Sequence, residues 1–302
     1  MTVSKPSCPF CKCEALQPKF KGLYHPYKKE YGPFDYLCCN NCKSLVIHPL
    51  PSNQELQDLY KSLQNGMIPK ITQLREQFPL KSWYNQCIDH AIKDFSEIDA
   101  KSVFTWMDIG AGNGNLSVLM ANRFPLSKGI AIDFGEKPEK LKDLPNIEWL
   151  QANLDGPDFN TLANSHKADL ILSITVMEHI SDPTSFLKGL CKLAKPGGRV
   201  YLSTPVYGNW VSYLMGKRWP YLIAGEHLHL PTLKGLKYWL QREAHTRPSM
   251  QLNANTSTTK IPYPIAYVAG FLNMPLIGRL MPSYLNFPFP TGMAEAWITV
   301  SE

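Results

Sequence analysis

A glycine-rich turn is the first feature of this sequence whose residue types point to chemistry. Residues 108–114 read DIGAGNG; an apolar run that predicts a buried strand precedes them, and a helical pattern follows. Glycine permits a tight turn and lets a ligand approach the backbone, because it has no side chain to obstruct either. A turn of this kind between a strand and a helix predicts a nucleotide or nucleoside site.

An aspartate on the next predicted strand strengthens this prediction. Asp133 stands at the end of that strand, about 20 residues after the turn. Parallel strands end at the same edge of a sheet, so we expect its carboxylate beside the turn, where it could accept hydrogen bonds from ribose hydroxyls. A dinucleotide site is the alternative. Its fingerprint is Gly-x-Gly-x-x-Gly, whereas the glycines here stand at 110, 112 and 114, in the pattern Gly-x-Gly-x-Gly.

Clustered cysteines are the second feature whose residue types point to chemistry. Six of the eight cysteines lie within the first 42 residues, and four of them form two Cys-x-x-Cys pairs, Cys8 with Cys11 and Cys39 with Cys42. Two such pairs can complete a tetrahedral four-sulfur site, so the pattern predicts bound Zn²⁺. A closed site of this kind supports folding and docking rather than catalysis. Cys38 in place of Cys39, a contribution from Cys13, and free cysteines remain alternatives.

The elements that must position these residues follow from the hydrophobic pattern. From Val103 onwards, short β-branched runs alternate with amphipathic stretches, which predicts parallel strands joined by crossover helices in a doubly wound α/β domain. The predicted strands are 103–109, 129–133, 147–151, 170–174, 199–204 and 294–300. The predicted helices are 53–63, 82–98, 115–124, 183–194 and one that begins near Thr232.

Four motifs in this order resemble one family. They are the turn at 108–114, the acidic strand end GIAID at 129–133, VMEHISDP at 176–183 and KPGGR at 195–199. Residues 103 to about 240 resemble class I S-adenosylmethionine-dependent methyltransferases, in the group of the ubiquinone-biosynthesis O-methyltransferases. This resemblance implies a Rossmann-like, mostly parallel seven-stranded sheet, S-adenosylmethionine as cofactor, and methyl transfer as the reaction.

The same resemblance assigns the cofactor-binding residues. It implies that the turn holds the methionine end of the cofactor through Gly110, Ala111, Gly112 and Gly114, and that Asp108 orients the turn and the cofactor's amino group. It places Asp133 on the ribose, and Asn153 with Leu154 beside the adenine. The family commonly has an acidic residue at the position of Asn153. An amide oxygen can still accept the hydrogen bond, but the departure weakens this assignment.

Three histidines are candidates for a catalytic base. His179, His227 and His229 lie on segments expected at the carboxyl edge of the sheet, and histidine suits proton removal near neutral pH. A base is needed only if the acceptor must lose a proton, since the sulfonium methyl group is already electrophilic. Hydrogen-bonded structural roles are the alternative for each histidine. The aromatic residues Tyr207, Trp210 and Tyr213 either line the acceptor site or pack in the core, and packing is favoured.

Charge and composition limit the partners. The net charge is +6, and residues 1–50 hold seven lysines against three acidic residues, a net of +4. A basic segment can attract nucleic acid, phosphorylated metabolites or an acidic membrane, although an ordinary solvated surface is favoured. We find no signal peptide and no run of about 18 apolar residues, so a cytoplasmic protein is expected. Segment 258–292 has almost no charge, which predicts a lid, an oligomer contact or a membrane-surface patch. The sequence does not predict the oligomeric state.

The predicted organisation is a zinc-ribbon module at 1–50, a helical linker and cap at 51–100, and the methyltransferase domain at 101–302. This arrangement is similar to that of bacterial proteins that modify sugars or cell-surface glycans. The resemblance implies a small-molecule or sugar-linked acceptor. Two alternatives are a methyltransferase that acts on RNA or protein through its ribbon, and a binding scaffold without turnover. Nucleic acid is the less favoured partner, because the ribbon lacks a clear alternation of aromatic and basic residues.

Overall fold

The structure is a computed structural model that describes residues 6–66, 80–93, 98–99, 101–245, 250–251, 257–264 and 286–300. Its helices are α1 Asn53–Gly66, α2 Leu80–Ile92, α3 Asn115–Arg123, α4 Pro157–Ser165, α5 Pro183–Leu193, α6 Trp210–Met215 and α7 Leu233–His245. Its strands are β1 Leu16–Leu23, β2 Phe34–Cys39, β3 Leu45–His48, β4 Thr105–Ile109, β5 Lys128–Asp133, β6 Ile147–Gln151, β7 Ala168–Ile174, β8 Ala194–Pro205, β9 His229–Leu230, β10 Met250–Gln251, β11 Ser257–Pro264 and β12 Asn286–Val300.

Two compact units make up the chain. The ribbon unit comprises Met1–Trp83, Pro205–Leu236 and Thr258–Ala294. The sheet unit comprises Tyr84–Thr204, Lys237–Ser257 and Glu295–Glu302. This division differs from the three consecutive segments expected from the sequence, because each unit is assembled from separate stretches of chain.

A mostly parallel sheet forms the centre of the sheet unit. Strands β6, β5, β4, β7 and β8 lie side by side in that order, and all four pairings between them are parallel. The sheet continues beyond β8 through β12 and β10, which makes seven strands on one path among the described residues, and β11 pairs with β12 as an eighth. The order reverses beside β4, so its carboxyl end is the topological switch point where ligands bind in such sheets. The predicted Rossmann-like, mostly parallel sheet is confirmed.

The ribbon unit contains a four-stranded antiparallel sheet in the order β1, β2, β3, β9. Strand β9 comes from a distant part of the chain and pairs Leu230 with Leu45. The core of this unit likewise combines side chains from before residue 57 with side chains from after residue 206: Phe20, Phe34, Tyr36, Leu45, Ile47 and Leu56 pack with Tyr207, Val211, Met215, Trp219, Leu222, Leu228 and Leu230. A module of 50 residues is too small to bury enough apolar surface by itself, which explains the contribution from the later segment.

Most predicted elements agree with the structure within a few residues, and the differences are local. Helices α4 and α6, strands β3, β9, β10 and β11, and the start of β12 at Asn286 were not predicted. The predicted helix 82–98 ends at Ile92, and 94–97 lie outside the described residues. Within the segment 258–292, residues 265–285 also lie outside them, and the described parts belong to β11 and β12. Among the helices described, none is long and apolar enough to cross a membrane.

Candidate cofactor site and four-cysteine site

Backbone hydrogen bonds fix the glycine-rich turn across the ends of two strands. The turn leaves β4 at Ile109 and enters α3 at Asn115. Gly110 N and Ala111 N both donate to Ile132 O, at 2.8 and 3.1 Å. These bonds hold the turn over the carboxyl end of β5, where the sequence analysis placed it.

Two glycines of the turn have different surroundings. Gly110 and Gly112 both have positive φ, at 76° and 53°, a conformation that side chains disfavour. A Cβ at Gly110 would lie 2.4 Å from Val176 Cγ2, whereas a Cβ at Gly112 would meet nothing within 4 Å. Gly110 therefore serves close packing inside the protein, and Gly112 borders open space that a ligand could enter.

Alanine at these two positions should separate packing from ligand approach. We expect Gly110→Ala to destabilise the fold by several kcal/mol, because both backbone strain and the contact with Val176 oppose it. Gly112→Ala should cost about 1–2 kcal/mol from strain alone. Chemical denaturation measures both. Adding Val176→Ala should recover part of the loss in Gly110→Ala; no recovery would show that the contact is not its cause.

The carboxylate of Asp133 binds the turn directly. Asp133 is nearly buried at the end of β5. Its Oδ2 accepts a hydrogen bond from Gly112 N at 2.9 Å, and its Oδ1 accepts one from Gly135 N at 3.1 Å. A carboxylate has about four acceptor positions, so these two bonds leave capacity for hydroxyl donors from a ligand. The turn and Asp133, which the sequence predicted to lie side by side, are thus neighbours in the structure.

A second aspartate lies where β4 leads into the turn. Asp108 on β4 is buried, and its Oδ2 accepts a hydrogen bond from Ser117 Oγ at 2.6 Å. Burial raises the pKa of Asp108 to about 7, the Ser117 bond opposes this shift, and the charge of Asp133 adds to it. The native state therefore keeps this carboxyl protonated to a higher pH than the unfolded chain does.

Asp108→Asn should change how stability depends on pH. The unfolded pKa lies near 3.8 and the folded value near 7, so stabilisation by the protonated carboxyl is complete below pH 4 and lost as pH rises through 7. Asparagine stays neutral, so the unfolding free energy of the variant should rise relative to wild type across this window, by roughly 4 kcal/mol at most. Urea denaturation of both proteins between pH 4 and 8 measures this difference. A constant difference would contradict the raised pKa.

The loops after β6 and β7 are tied together. Asn153 Oδ1 accepts a hydrogen bond from Asp155 N at 3.0 Å, which forms a local turn, and Leu154 lies within that turn. Asp155 Oδ2 in turn accepts a hydrogen bond from Ser181 N at 2.9 Å. Asp155 was not predicted from the sequence. It stands in a loop just before α4, and its neighbours in sequence carry no signal of this long-range contact.

Thr175 is a second residue that the sequence did not single out. It has a φ of 55°, an unusual value for a β-branched residue, and its N donates to Ser203 O at 2.8 Å. The strained residue directly precedes Val176, whose side chain limits the space at Gly110. Strained backbone is concentrated at functional sites, but a threonine that ends a β-branched run predicts only a strand. No local pattern could have revealed it.

The three candidate histidines fall in different units. His179 lies in the sheet unit, in the 3₁₀ turn Met177–His179 after β7. The buried Glu178 in this turn accepts a hydrogen bond from Thr204 Oγ1 at 2.9 Å. His227 and His229 are buried in the ribbon unit.

Contacts of His227 and His229 connect the later segment to the ribbon. His227 Nδ1 donates to Tyr221 O at 2.7 Å, and the His227 carbonyl accepts a hydrogen bond from Tyr36 Oη at 2.5 Å. His229 lies on β9, and its ring packs edge-to-face against Phe10 with 6.4 Å between centroids. These contacts favour structural roles.

The aromatic residues that follow β8 differ in burial. Tyr207 is buried and packs edge-to-face against Phe20 and Trp219, so it belongs to the ribbon core. Trp210 and Tyr213 are largely exposed. Core packing is the outcome for Tyr207, and Tyr213 packs edge-to-face against it, with 5.4 Å between ring centroids, while staying largely exposed.

Four cysteine sulfurs converge at one end of the ribbon sheet. The Sγ atoms of Cys8, Cys11, Cys39 and Cys42 all lie within 4.8 Å of one another, close enough to bind one metal ion. The hydrogen bond between Cys8 and Cys42 lowers the pKa of Cys42, and the same bond together with burial raises the pKa of Cys8. Two sulfurs that share a proton in this way offer a position that a cation can take instead.

The two Cys-x-x-Cys turns have the same backbone geometry. In the first, Lys12 N donates to Cys8 O and Cys8 N donates to Cys13 O; in the second, Lys43 N donates to Cys39 O and Cys39 N donates to Ser44 O. The residue after each second cysteine has positive φ, 61° at Lys12 and 64° at Lys43. This repetition pairs Cys39 with Cys42. Cys38 and Cys13 lie outside the cluster, with Cys38 Sγ against Lys43 O at 3.6 Å.

The start of α7 packs directly on the second cysteine turn. Thr232 Oγ1 donates to Cys42 O at 2.5 Å, and Thr232 N donates to Ser44 Oγ at 3.0 Å. Ser44 Oγ itself lies 3.1 Å from Cys42 Sγ. A Cβ at Gly235 would lie 2.2 Å from Ser44 Oγ, so only glycine fits there. In the thiol form, Cys42 Sγ donates to Ser44 Oγ; a metal-bound Cys42 thiolate would instead accept a hydrogen bond from the Ser44 hydroxyl, an outer contact of the kind that orients metal ligands.

Comparison with solved structures shows the class of fold. The plantazolicin methyltransferase BamL, solved with a triazolic desmethylPZN analog and S-adenosylhomocysteine, has a TM-score of 0.53 over 82% of this chain and 97% of that one, at 12% identity. The 1,6-didemethyltoxoflavin-N1-methyltransferase of Burkholderia thailandensis has a TM-score of 0.51 over 87% and 98%, also at 12% identity. The sheet and its glycine-rich turn thus have the Rossmann-like methyltransferase fold.

Sequence comparison then shows the family. The family model described as a methyltransferase domain matches residues 80–243, more than half of the chain, and the chain belongs to this family. The predicted class of S-adenosylmethionine-dependent methyltransferases is confirmed.

Curated relatives match only part of the chain. The ubiquinone biosynthesis O-methyltransferase of Idiomarina loihiensis is 32% identical over 125 residues, which cover 40% of this chain and 48% of that protein. The enzyme of the same name from Aeromonas salmonicida is 33% identical over 132 residues, which cover 43% and 52%. The chain thus spans about half the length of these relatives.

Proposed function

We propose that this protein transfers a methyl group from S-adenosylmethionine to a small-molecule acceptor, including sugars or glycan-linked molecules. The observation that carries this proposal is the hydrogen bond between Gly112 N and Asp133 Oδ2 at the switch point of the sheet. It joins a backbone that a ligand can approach to a carboxylate with remaining acceptor capacity. Family membership supports the use of this cofactor.

The residues of the site have distinct proposed roles. The turn with Gly110, Ala111, Gly112 and Gly114 binds the methionine end, and Asp108, which is bonded to Ser117 of α3, orients that turn. Asp133 accepts hydrogen bonds from the ribose. Asn153 and Leu154 border the adenine, and the Asn153 oxygen keeps a second lone pair beside its bond to Asp155 N.

The cofactor supplies an activated methyl group, so the protein contributes alignment of the acceptor and exclusion of water. We infer that His179 is the leading candidate for a base, because it belongs to the same unit as the turn and Asp133. The contacts of His227 and His229 favour them as residues that hold the β9 segment on the ribbon.

Small molecules are the favoured acceptors for two reasons. The curated relatives are named for ubiquinone biosynthesis, and the Burkholderia structure contains 1,6-didemethyltoxoflavin. These acceptors belong to those proteins and indicate only a class here.

We also propose that the four clustered cysteines bind Zn²⁺. Four sulfurs and two matching turns fit a closed tetrahedral site, and no coordination position remains for substrate. The metal would stabilise the ribbon and, through Ser44 and Thr232, the start of α7.

Two measurements test the proposed function in sequence. Isothermal titration calorimetry should detect binding of S-adenosylmethionine and of S-adenosylhomocysteine. Incubation with methyl-labelled cofactor should then move label into a small-molecule fraction of a metabolite extract. Label found only in RNA or protein would reject the proposed acceptor class while leaving methyl transfer intact, and binding without any transfer would indicate a scaffold.

A further inference from the structure

Helix α6 of the ribbon unit exposes an unusual set of apolar side chains. Trp210, Tyr213 and Leu214 are 62%, 56% and 67% exposed. Their spacing of three and four residues places them on one face of the helix, while Val211 and Met215 on the other face are buried in the ribbon core. Single exposed apolar residues are ordinary, but three on one face form a patch that marks an interaction site.

The helix is held firmly, so this exposure is a property of the fold. Asn209 Oδ1 accepts a hydrogen bond from Ser212 N at 2.8 Å and caps the helix. Ser212 Oγ accepts a hydrogen bond from Gly208 N at 3.0 Å. After the helix, Trp219 is buried in the core and fixes the outgoing chain. Tyr213 also packs edge-to-face against the buried Tyr207, with 5.4 Å between ring centroids, yet stays 56% exposed. The helix that carries the three exposed side chains is thus anchored on both sides.

Basic residues adjoin the apolar face. Lys217 and Arg218 are exposed on the 3₁₀ turn Gly216–Arg218 that follows α6. Lys217 Nζ donates to Lys21 O at 3.2 Å, which brings the exposed Lys21 to the same region. No acidic residue occurs between Val206 and Gly225 in the sequence. Asp35 is an acidic neighbour of Lys21, because its Oδ1 accepts a hydrogen bond from Gly22 N at 2.9 Å. Lys21, Lys217 and Arg218 outnumber this carboxylate, so the patch combines aromatic and aliphatic side chains with positive charge.

We propose that α6 docks this protein on an anionic membrane surface. Trp and Tyr favour the boundary between lipid headgroups and acyl chains, Leu214 would enter the apolar layer, and Lys217 with Arg218 would pair with lipid phosphates. A second copy of this chain fits less well, because a symmetric contact would bring lysines and arginines of both copies together. This inference goes beyond the proposed methyl transfer and does not depend on it.

Vesicle binding by the full chain tests the proposal. Co-sedimentation should show binding to phosphatidylcholine vesicles that contain about one quarter phosphatidylglycerol, and weak binding to phosphatidylcholine alone. The triple variant Trp210→Ser, Tyr213→Ser, Leu214→Ser should lower the bound fraction at least about tenfold. Lys217→Glu with Arg218→Glu should lower it similarly and remove its salt dependence.

A matched control is available elsewhere on the surface. Val103 and Leu126 are 83% and 58% exposed, and Val103→Ser with Leu126→Ser should leave binding within about twofold of wild type. Thermal unfolding checks that each variant remains folded. Equal binding of the wild type to both vesicle types would overturn the proposal. A loss of binding in the control variant as large as that in the triple variant would overturn it as well. Sedimentation velocity gives a further test. If the wild type is a dimer that the triple variant disrupts, and neither binds vesicles, the patch is a self-association surface and the proposal is wrong.

Discussion

Asp133→Ala should lower the affinity for S-adenosylmethionine by about 100-fold, the largest effect expected from any single change in the cofactor site. The variant loses the proposed acceptor for the ribose hydroxyls and also the bond to Gly112 N that holds the turn. Hydrogen bonds to a charged group contribute about 1.5–3 kcal/mol each, and about 1.4 kcal/mol corresponds to a factor of ten. Isothermal titration calorimetry with cofactor and with its demethylated product measures the change.

Asp169 provides a matched control at the opposite edge of the sheet. Its Oδ2 also accepts a backbone hydrogen bond, from Thr105 N at 2.8 Å, and it forms an ion pair with Lys195. Asp169→Ala should therefore lower stability but leave cofactor affinity within about twofold of wild type. Equal affinity in Asp133→Ala and wild type, both shown to be folded, would reject the ribose assignment. An equal loss in Asp169→Ala would show that the effect reflects general destabilisation.

Cys39→Ser and Cys42→Ser should each remove bound zinc and destabilise the ribbon unit by several kcal/mol. Loss of one ligand opens the tetrahedral site, and structural zinc sites contribute about 10 kcal/mol or more of folding free energy. The effect should extend to the first turn of α7, because Thr232 binds both the Cys42 carbonyl and Ser44. Metal analysis by mass spectrometry, together with hydrogen exchange of β1 to β3 and α7, measures both consequences.

The neighbouring cysteines are the matched controls. Cys38 and Cys13 are also in the ribbon unit and partly exposed, but their sulfurs lie outside the metal-binding cluster. Cys38→Ser and Cys13→Ser should keep one zinc per chain and near-wild-type stability. Zinc loss in Cys38→Ser would mean that the second pair was misassigned, and wild-type protein with well under one zinc per chain would remove the site altogether.

The sequence by itself determined the parts of this protein that depend on neighbouring residues. The glycine-rich turn, Asp133 at a strand end and the two Cys-x-x-Cys pairs are recognisable because their chemistry depends on residue type and short spacing. The parallel strands from β4 to β8 were predicted for the same reason, since hydrophobic periodicity is a local signal. Topology then required the turn and Asp133 to meet at one edge, which the bond between Gly112 and Asp133 realises.

Only the tertiary structure decided which distant segments pack together. The return of residues 205–236 to the ribbon unit has no local signal, because β9 has two residues and pairs with a strand about 180 positions earlier. The preference for Cys39 over Cys38 likewise depends on where four sulfurs converge. The positive φ of Thr175 is imposed against its own propensity by its surroundings. In each case, packing and hydrogen bonds between remote parts of the chain outweigh local preferences, and a pattern of neighbouring residues does not encode them.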